Sequence, residues 1–127
     1  MPGVLDASAV LTLLQGEPGA DAVADLLPDS IMSAVNLSEV IAKLTERGMP
    51  ADDAREALDE LAIDIRPFDA DDAHSAGALR GSTRDLGLSF GDRACLALAI
   101  SLRLDAVTAD RAWAALSLPG LNVSVIR

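Results

Sequence analysis

Short apolar runs alternate with longer helical segments along this chain, and no other sequence feature restricts its fold as strongly. The short runs predict strands at residues 4–5, 30–32, 63–68, 106–108 and 123–126. The longer segments have apolar residues at helical spacing and predict helices at residues 7–14, 20–27, 34–47, 50–62, 71–83, 92–102 and 110–116. Alternating strands and helices are typical of βαβ units, which form parallel sheets. The sequence therefore predicts an α/β fold of three layers, in which helices flank a mostly parallel central sheet.

Size and composition agree with one core. The chain has 127 residues, half of them apolar, which suits a single domain spanning residues 1–127. Aromatic residues make up only 2% of the chain, so the core has to be built from small and aliphatic side chains. This composition is typical of helices that pack closely on a buried sheet.

The single cysteine and the hydropathy pattern indicate the cellular compartment in which the protein is expected to occur. Cys95 has no partner for a disulfide within the chain and is interpreted as a small buried hydrophobic residue. No apolar run is long enough to span a membrane, and the N-terminus lacks the pattern of a signal peptide. These features predict a cytoplasmic protein that does not associate with membranes.

The formal net charge is -10, from ten basic and twenty acidic residues. Proteins that bind nucleic acid are usually basic, so this charge by itself indicates little more than solubility. Two arrangements would reconcile an acidic chain with a nucleic-acid substrate. The acids could cluster around a metal ion that neutralises them locally, or the acidic surface could bind a basic partner.

Four acidic residues are predicted to lie at the carboxyl edge of the sheet. Asp6 and Asp110 directly follow the first and fourth strands. Asp92 begins the helix predicted at residues 92–102, which is apolar on nearly every side and is therefore expected to be buried. Glu39 lies about one turn into the helix after the second strand. Taken singly, the three aspartates could be helix caps, and Glu39 could be an exposed residue paired with Lys43. Their shared location favours a functional site, because ligands bind to such sheets at the carboxyl ends of the strands.

Four carboxylates at one edge would repel one another unless a cation lay between them. Oxygen ligands suit Mg²⁺ or Mn²⁺, with water molecules completing the coordination shell. Such an ion can activate water for phosphodiester hydrolysis without a basic side chain. The only histidine, His74, is predicted to lie on an exposed helix face and is assigned no role.

Four segments of the chain resemble the PIN-domain ribonucleases, and above all the VapC toxins of bacterial toxin–antitoxin pairs. These segments are VLDAS at 4–8, AVNLSE at 34–39, LSFGDR at 88–93 and VTADR at 107–111. The resemblance covers nearly the whole chain and includes all four acids in order. It implies a PIN-like fold and an endoribonuclease whose Mg²⁺ or Mn²⁺ ion is held by Asp6, Glu39, Asp92 and Asp110.

The same resemblance implies supporting residues and partners. Ser8 and Thr108 match positions at which a hydroxyl often supports the site, and Asn36 stands where many relatives carry Thr or Ser. The family also implies a homodimer and a small VapB-like antitoxin whose C-terminal segment covers the active site. A basic antitoxin segment would complement this acidic chain.

The scarcity of aromatic side chains bears on the RNA substrate. Proteins that read single-stranded RNA usually stack its bases on aromatic residues. The sequence therefore predicts a structured RNA that is recognised by shape and by phosphate contacts. The candidates for phosphate contacts are Arg80, Arg84, Arg93 and Arg111, and the alternative for each is a surface salt bridge.

Three other functions make different demands on the sequence. A receiver domain needs an adjacent acidic pair after the first strand and a lysine near the last one, but Asp6 is alone and Lys43 is the only lysine. A phosphatase of the haloacid dehalogenase type needs a second aspartate where Ser8 stands. A catalytically idle interaction module with the same fold stays open, because sequence alone does not demonstrate activity.

Overall fold

The computed structural model describes residues 2–127. The strands of the described chain are β1 Gly3–Leu5, β2 Ile31–Ser33, β3 Asp64–Arg66, β4 Asp105–Thr108 and β5 Val123–Val125. Its α-helices are α1 Ala7–Gln15, α2 Ala20–Leu26, α3 Ala34–Glu46, α4 Ala51–Glu60, α5 Ala70–Ser82 and α6 Phe90–Leu102. Two short 3-10 helices are formed by Arg84–Leu86 and Arg111–Ala115.

The five strands form one sheet in the order β3-β2-β1-β4-β5, and every pair of neighbours is parallel. The strand β1 is central, with Val4 paired with Ile31 of β2 and with Ala106 of β4. Since all strands run in one direction, their carboxyl ends meet at one edge of the sheet. The ends of β1 and β4 are neighbours at that edge, which brings together the residues that follow them.

Alternate residues of the central strands face opposite sides of the sheet, and each side is covered by helices. Leu5 and Met32 belong to a core shared with α1, α2, α3 and α4. Val4 and Ile31 belong to a second core on the other side, shared chiefly with α6. The strands β1 and β2, in the middle of the sheet, are buried at every residue and are mostly apolar, whereas the edge strand β3 is largely exposed.

The predicted α/β architecture of three layers is therefore confirmed, with a sheet that is parallel throughout. Some boundaries differ. The predicted strand at 63–68 is shorter, and α4 begins after Pro50, which has the extended backbone of an N-cap. Residues 110–116 were predicted to form a short helix, and the helix there is Arg111–Ala115, of the 3-10 type with hydrogen bonds between residues three apart. Within residues 2–127, no helix has the length and apolar character needed to cross a membrane.

Candidate active site

Asp6 lies where β1 passes into α1. Its backbone N–H continues the sheet by donating to the carbonyl of Val107 at 3.0 Å. Its carboxylate caps α1, with Oδ1 accepting from the backbone N–H of Ala9 at 2.8 Å and from the Ser8 hydroxyl at 2.7 Å. The side chain is buried, with Asp6 only 4% exposed. The capping interpretation of Asp6 is thus correct, and it coexists with a position at the carboxyl edge of the sheet.

Two hydroxyls connect Asp6 to the end of β4. The fully buried Thr108 donates from Oγ1 to Asp6 Oδ2 at 2.6 Å and accepts from the backbone N–H of Asp110 at 3.0 Å. Ser8 Oγ lies 3.2 Å from Thr108 Oγ1 and accepts from the backbone N–H of Ala109 at 2.9 Å. Because both hydroxyls direct their protons at Asp6, its two carboxylate oxygens are held in fixed positions.

Burial nevertheless makes the charge on Asp6 costly. Desolvation raises the pKa of Asp6 from its ordinary value of 3.8 to about 6, against the hydrogen bonds from Thr108, Ser8 and Ala9, which lower it. The negative charge of Asp92 adds a further, smaller increase. A buried carboxylate with this pKa would be stabilised in its charged form by a nearby cation.

The orientation of the Glu39 carboxylate is set by Asn36, a residue of the protein interior. Asn36, which is 1% exposed, donates from Nδ2 to Glu39 Oε1 at 2.8 Å and to the carbonyl of Gly91 at 3.0 Å. Both partners are acceptors, which fixes the orientation of the amide group. Asn36 Oδ1 is buried without a hydrogen-bond partner among the described residues. The alternative pairing of Glu39 with Lys43 is wrong, because Lys43 Nζ lies within salt-bridge distance of Glu46 instead, at 3.9 Å.

Asp92 and Asp110 also have capping roles. Asp92 forms a reciprocal capping box with Ser89: Oδ2 accepts from the Ser89 backbone N–H at 3.0 Å, and the Asp92 N–H donates to Ser89 Oγ at 3.1 Å. The exposed Asp110 caps the second 3-10 helix, with Oδ1 accepting from the N–H of Ala112 at 2.9 Å. Both caps were expected from the sequence, and both place a carboxylate at the same edge of the sheet.

The four acids line one open cleft of about 240 Å³. The other residues that line it are Ala7, Ser8, Leu11, Asn36 and Lys43. The acids also affect the buried thiol of Cys95. Burial raises the pKa of Cys95 well above its ordinary value, and the charges of Asp6, Asp92 and Glu39 raise it further.

Convergence on one cleft is not the same as a closed coordination shell. Within residues 2–127, no three acidic, histidine or cysteine side chains are close enough to hold a metal ion by themselves. The hydrogen bonds explain this, since Glu39 is directed towards Asn36 and Asp92 towards Ser89. A shared cleft without direct ligand clustering is compatible with Mg²⁺, which in proteins commonly keeps several waters in its coordination shell.

The predicted phosphate-binding arginines lie outside the cleft. Arg80, Arg84 and Arg111 are exposed. Arg93 differs, because its Nη1 donates to the carbonyl of Ala76 on α5 at 3.0 Å and its Nε is buried. The guanidinium of Arg93 also lies 6.0 Å from the centre of the Phe90 ring. This environment indicates that Arg93 packs α6 against α5.

Sequence reasoning missed two residues of the cleft region. Lys43 was assigned no role in the site, although its spacing of four residues from Glu39 places both side chains on one face of α3. Gly91 was not considered at all. Its signal was a glycine in the first turn of a helix that is otherwise rich in good helix formers, a position where glycine is unfavourable unless space is needed.

Comparisons with known proteins agree with the fold and with the motifs. The model of the PIN domain family matches residues 3–117. Ribonuclease VapC42 of Mycobacterium tuberculosis and a VapC ribonuclease of Mycobacterium bovis are each 33% identical over 106 residues, which covers 76% of this chain and 81% of those proteins.

Solved structures resemble the chain over its full length. The DNA-bound VapBC complex of Salmonella typhimurium contains a chain with a TM-score of 0.74 and 18% identity, with both chains covered completely. A toxin–antitoxin complex from Klebsiella pneumoniae contains one with a TM-score of 0.73 and 21% identity, covering 94% of this chain and 95% of the other. From the family match and the VapC relatives together, the chain belongs to the PIN-domain family and, within it, to the VapC ribonucleases of toxin–antitoxin systems.

Proposed function

We propose that this protein is a Mg²⁺- or Mn²⁺-dependent endoribonuclease and that it acts as the toxin of a toxin–antitoxin pair. The observation that carries the proposal is the single cleft lined by Asp6, Glu39, Asp92 and Asp110. Ordinary helix capping accounts for three of these acids one at a time. It does not account for four acids from four different parts of the chain lining the same cleft.

The donors in the cleft suit a hard divalent cation. They are the carboxylate oxygens of the four acids and the hydroxyl oxygen of Ser8, with the side-chain amide of Asn36 beside them. In the proposal Asp6, Glu39, Asp92 and Asp110 hold the ion, with water completing its shell. A bound Mg²⁺ or Mn²⁺ would supply a water molecule of lowered pKa and positive charge beside the phosphodiester.

The protein's own contribution is to fix the carboxylates before substrate arrives. Thr108 and Ser8 hold both oxygens of Asp6, and Asn36 holds one oxygen of Glu39. These supporting side chains are buried or half-buried, so reorientation of the carboxylates would break hydrogen bonds that water does not readily replace. Fixed ligands of this kind lower the reorganisation needed during hydrolysis.

The partners follow from the family and from the charge. The solved neighbours include a toxin–antitoxin complex and a VapBC complex, and the net charge of -10 suits a basic segment of a VapB-like antitoxin. A homodimer and a structured RNA substrate are part of the same proposal. The exposed Arg80, Arg84 and Arg111 are the proposed contacts to RNA phosphates outside the cleft.

RNA cleavage by the purified protein tests the proposal. Total cellular RNA is incubated with the protein in Mg²⁺ or Mn²⁺, with excess EDTA and with the Asp6→Asn variant as controls. We expect discrete cleavage products that both controls abolish. Cleavage that survives EDTA and Asp6→Asn would refute the metal mechanism. If no cellular RNA is cut although the protein binds a cognate antitoxin, the chain is a catalytically idle interaction module.

A further inference from the structure

Among residues 2–127, Lys43 is the one cationic side chain that lines the cleft. It lies on α3, one turn after Glu39, and shares the cleft with all four acids. The sequence contains nine arginines and a single lysine. None of the nine arginines lines this cleft, so the only lysine of the chain supplies its positive charge among the described residues.

Charge in the cleft makes the position of Lys43 consequential. Four carboxylates and one divalent cation would leave two excess negative charges there. A phosphodiester is itself an anion, and like charges at close range repel in a partly desolvated cleft. Negative charge from Asp92 already contributes to the raised pKa of Asp6. A phosphate therefore needs a further cation on the wall of the cleft, and Lys43 is the side chain available.

The present partner of Lys43 does not hold it firmly. Its Nζ lies 3.9 Å from Glu46 Oε2, at the limit of a salt bridge, and the two side chains are 57% and 73% exposed. Exposed pairs of this kind contribute little to stability. A lysine is a compact charge on a flexible stem, so Lys43 can exchange Glu46 for a phosphate oxygen without disturbing α3.

We propose that Lys43 binds a phosphate of the RNA strand in the cleft, beside the residues that hold the metal. The inference rests on the proposed nuclease function and adds a substrate-positioning residue to it. Lys43 acts on the binding of RNA and not on the metal ligands. Its removal therefore raises the RNA concentration needed for half-maximal cleavage and leaves the maximal rate nearly unchanged.

Single-turnover cleavage of a labelled RNA stem–loop in saturating Mg²⁺ tests this role. We compare the wild type with Lys43→Gln, Lys43→Arg and the control Arg55→Gln. Arg55→Gln makes the same change in net charge as Lys43→Gln. Arg55 is 84% exposed on α4 and lies outside the cleft, so its replacement should not affect the site directly. We expect Lys43→Gln to raise the half-saturating RNA concentration about fivefold. We also expect it to reduce the slope of log affinity against log salt by about 0.7 to 0.9. Lys43→Arg should restore both values, and Arg55→Gln should match the wild type.

Two results would overturn the role of Lys43 while leaving the nuclease intact. One is an equal effect of Lys43→Gln and Arg55→Gln. The other is a change in the Mg²⁺ requirement of Lys43→Gln with unaltered RNA half-saturation, which would make Lys43 a counter-ion of the carboxylates. If the wild type does not cleave RNA, the proposed nuclease function fails first. Fluorescence anisotropy with the same stem–loop then decides the role of Lys43, and equal affinities of the wild type and Lys43→Gln reject it.

Discussion

The carboxylate of Glu39 occupies the space into which a Cβ atom at position 91 would project. A Cβ built on Gly91 collides with both carboxylate oxygens and with Cδ of Glu39. Asn36 strengthens the relationship, since its amide donates to Glu39 and to the carbonyl of Gly91. The first turn of α6 thus serves as the surface against which a candidate metal ligand from α3 is placed.

Replacing Gly91 by alanine should therefore damage the site more than the fold. The added methyl group displaces the Glu39 carboxylate, which is the flexible end of its side chain, so the backbone can stay in place. Alanine is also the better helix former, by about 1 kcal/mol. We expect RNA cleavage to fall by about 10- to 100-fold, as for loss of ligand positioning in metal sites. We expect the free energy of unfolding to change by no more than about 1 kcal/mol.

The control for Gly91→Ala is Gly77→Ala in α5, where a Cβ meets nothing within 4 Å. It should keep full activity and gain slight stability. Adding Glu39→Ala to Gly91→Ala should cause little further loss, since both changes remove the same ligand. Wild-type cleavage by Gly91→Ala would contradict the role of Glu39 in the site.

The raised pKa of Asp6 predicts how the stability of the metal-free protein depends on pH. The pKa of Asp6 is 3.8 in the unfolded chain and about 6 in the folded protein. At pH values between these two, the native state binds a proton at Asp6 that the unfolded chain has lost. Stability from this residue is therefore lost as the pH rises through that interval, by about 3 kcal/mol in total. Asp6→Asn removes the charge, so the stability of the variant relative to wild type should increase by most of that amount, about 2 kcal/mol, between pH 4 and pH 7.

Urea denaturation in EDTA across this pH range measures the difference for Asp6→Asn. Other acids titrate in both proteins and cancel in the comparison. Saturating Mg²⁺ should stabilise the wild type at pH 7 and have little effect on the variant. A difference between the two proteins that is independent of pH would show that Asp6 is not a desolvated carboxylate.

The sequence predicted the parts of this site that depend on local order. Asp6 and Asp110 follow strands directly, and parallel strands end at one edge, so their proximity was deducible. The capping box of Ser89 and Asp92 was deducible from a spacing of three residues.

The contact of Asn36 with Gly91 joins residues 55 positions apart and depends on how α3 crosses α6. The inward direction of Arg93 depends in the same way on the packing of α5, so neither contact could be read from spacing.

Thr108→Val should weaken the site by loosening Asp6. The valine keeps the shape of Thr108 but loses the hydroxyl that donates to Asp6 Oδ2 at 2.6 Å. A hydrogen bond to a charged group contributes about 1.5 to 3 kcal/mol, so its loss raises the pKa of Asp6 further. Because protons then compete better with metal for the Asp6 carboxylate, the acidic limb of the pH–rate profile should move upward by about 1 to 2 pH units.

Thr108→Ser, which keeps the hydroxyl, should behave like the wild type. An unmoved acidic limb in Thr108→Val would argue against Asp6 as the titrating group.

Arg93→Ala should differ in kind from the other three arginine variants. Arg93 donates to the Ala76 carbonyl and its Nε is buried, so truncation should lower the free energy of unfolding by about 1 to 3 kcal/mol. Arg80→Ala, Arg84→Ala and Arg111→Ala remove exposed side chains, and their stabilities should stay within about 0.5 kcal/mol of wild type. Each should instead weaken RNA binding and flatten its salt dependence, as expected when a phosphate contact is lost.

Thermal unfolding and anisotropy titrations at several salt concentrations separate the two classes of arginine variant. Unchanged RNA binding in all four variants would remove the arginines from the proposed interface, and phosphate recognition would then rest on Lys43 and the metal site.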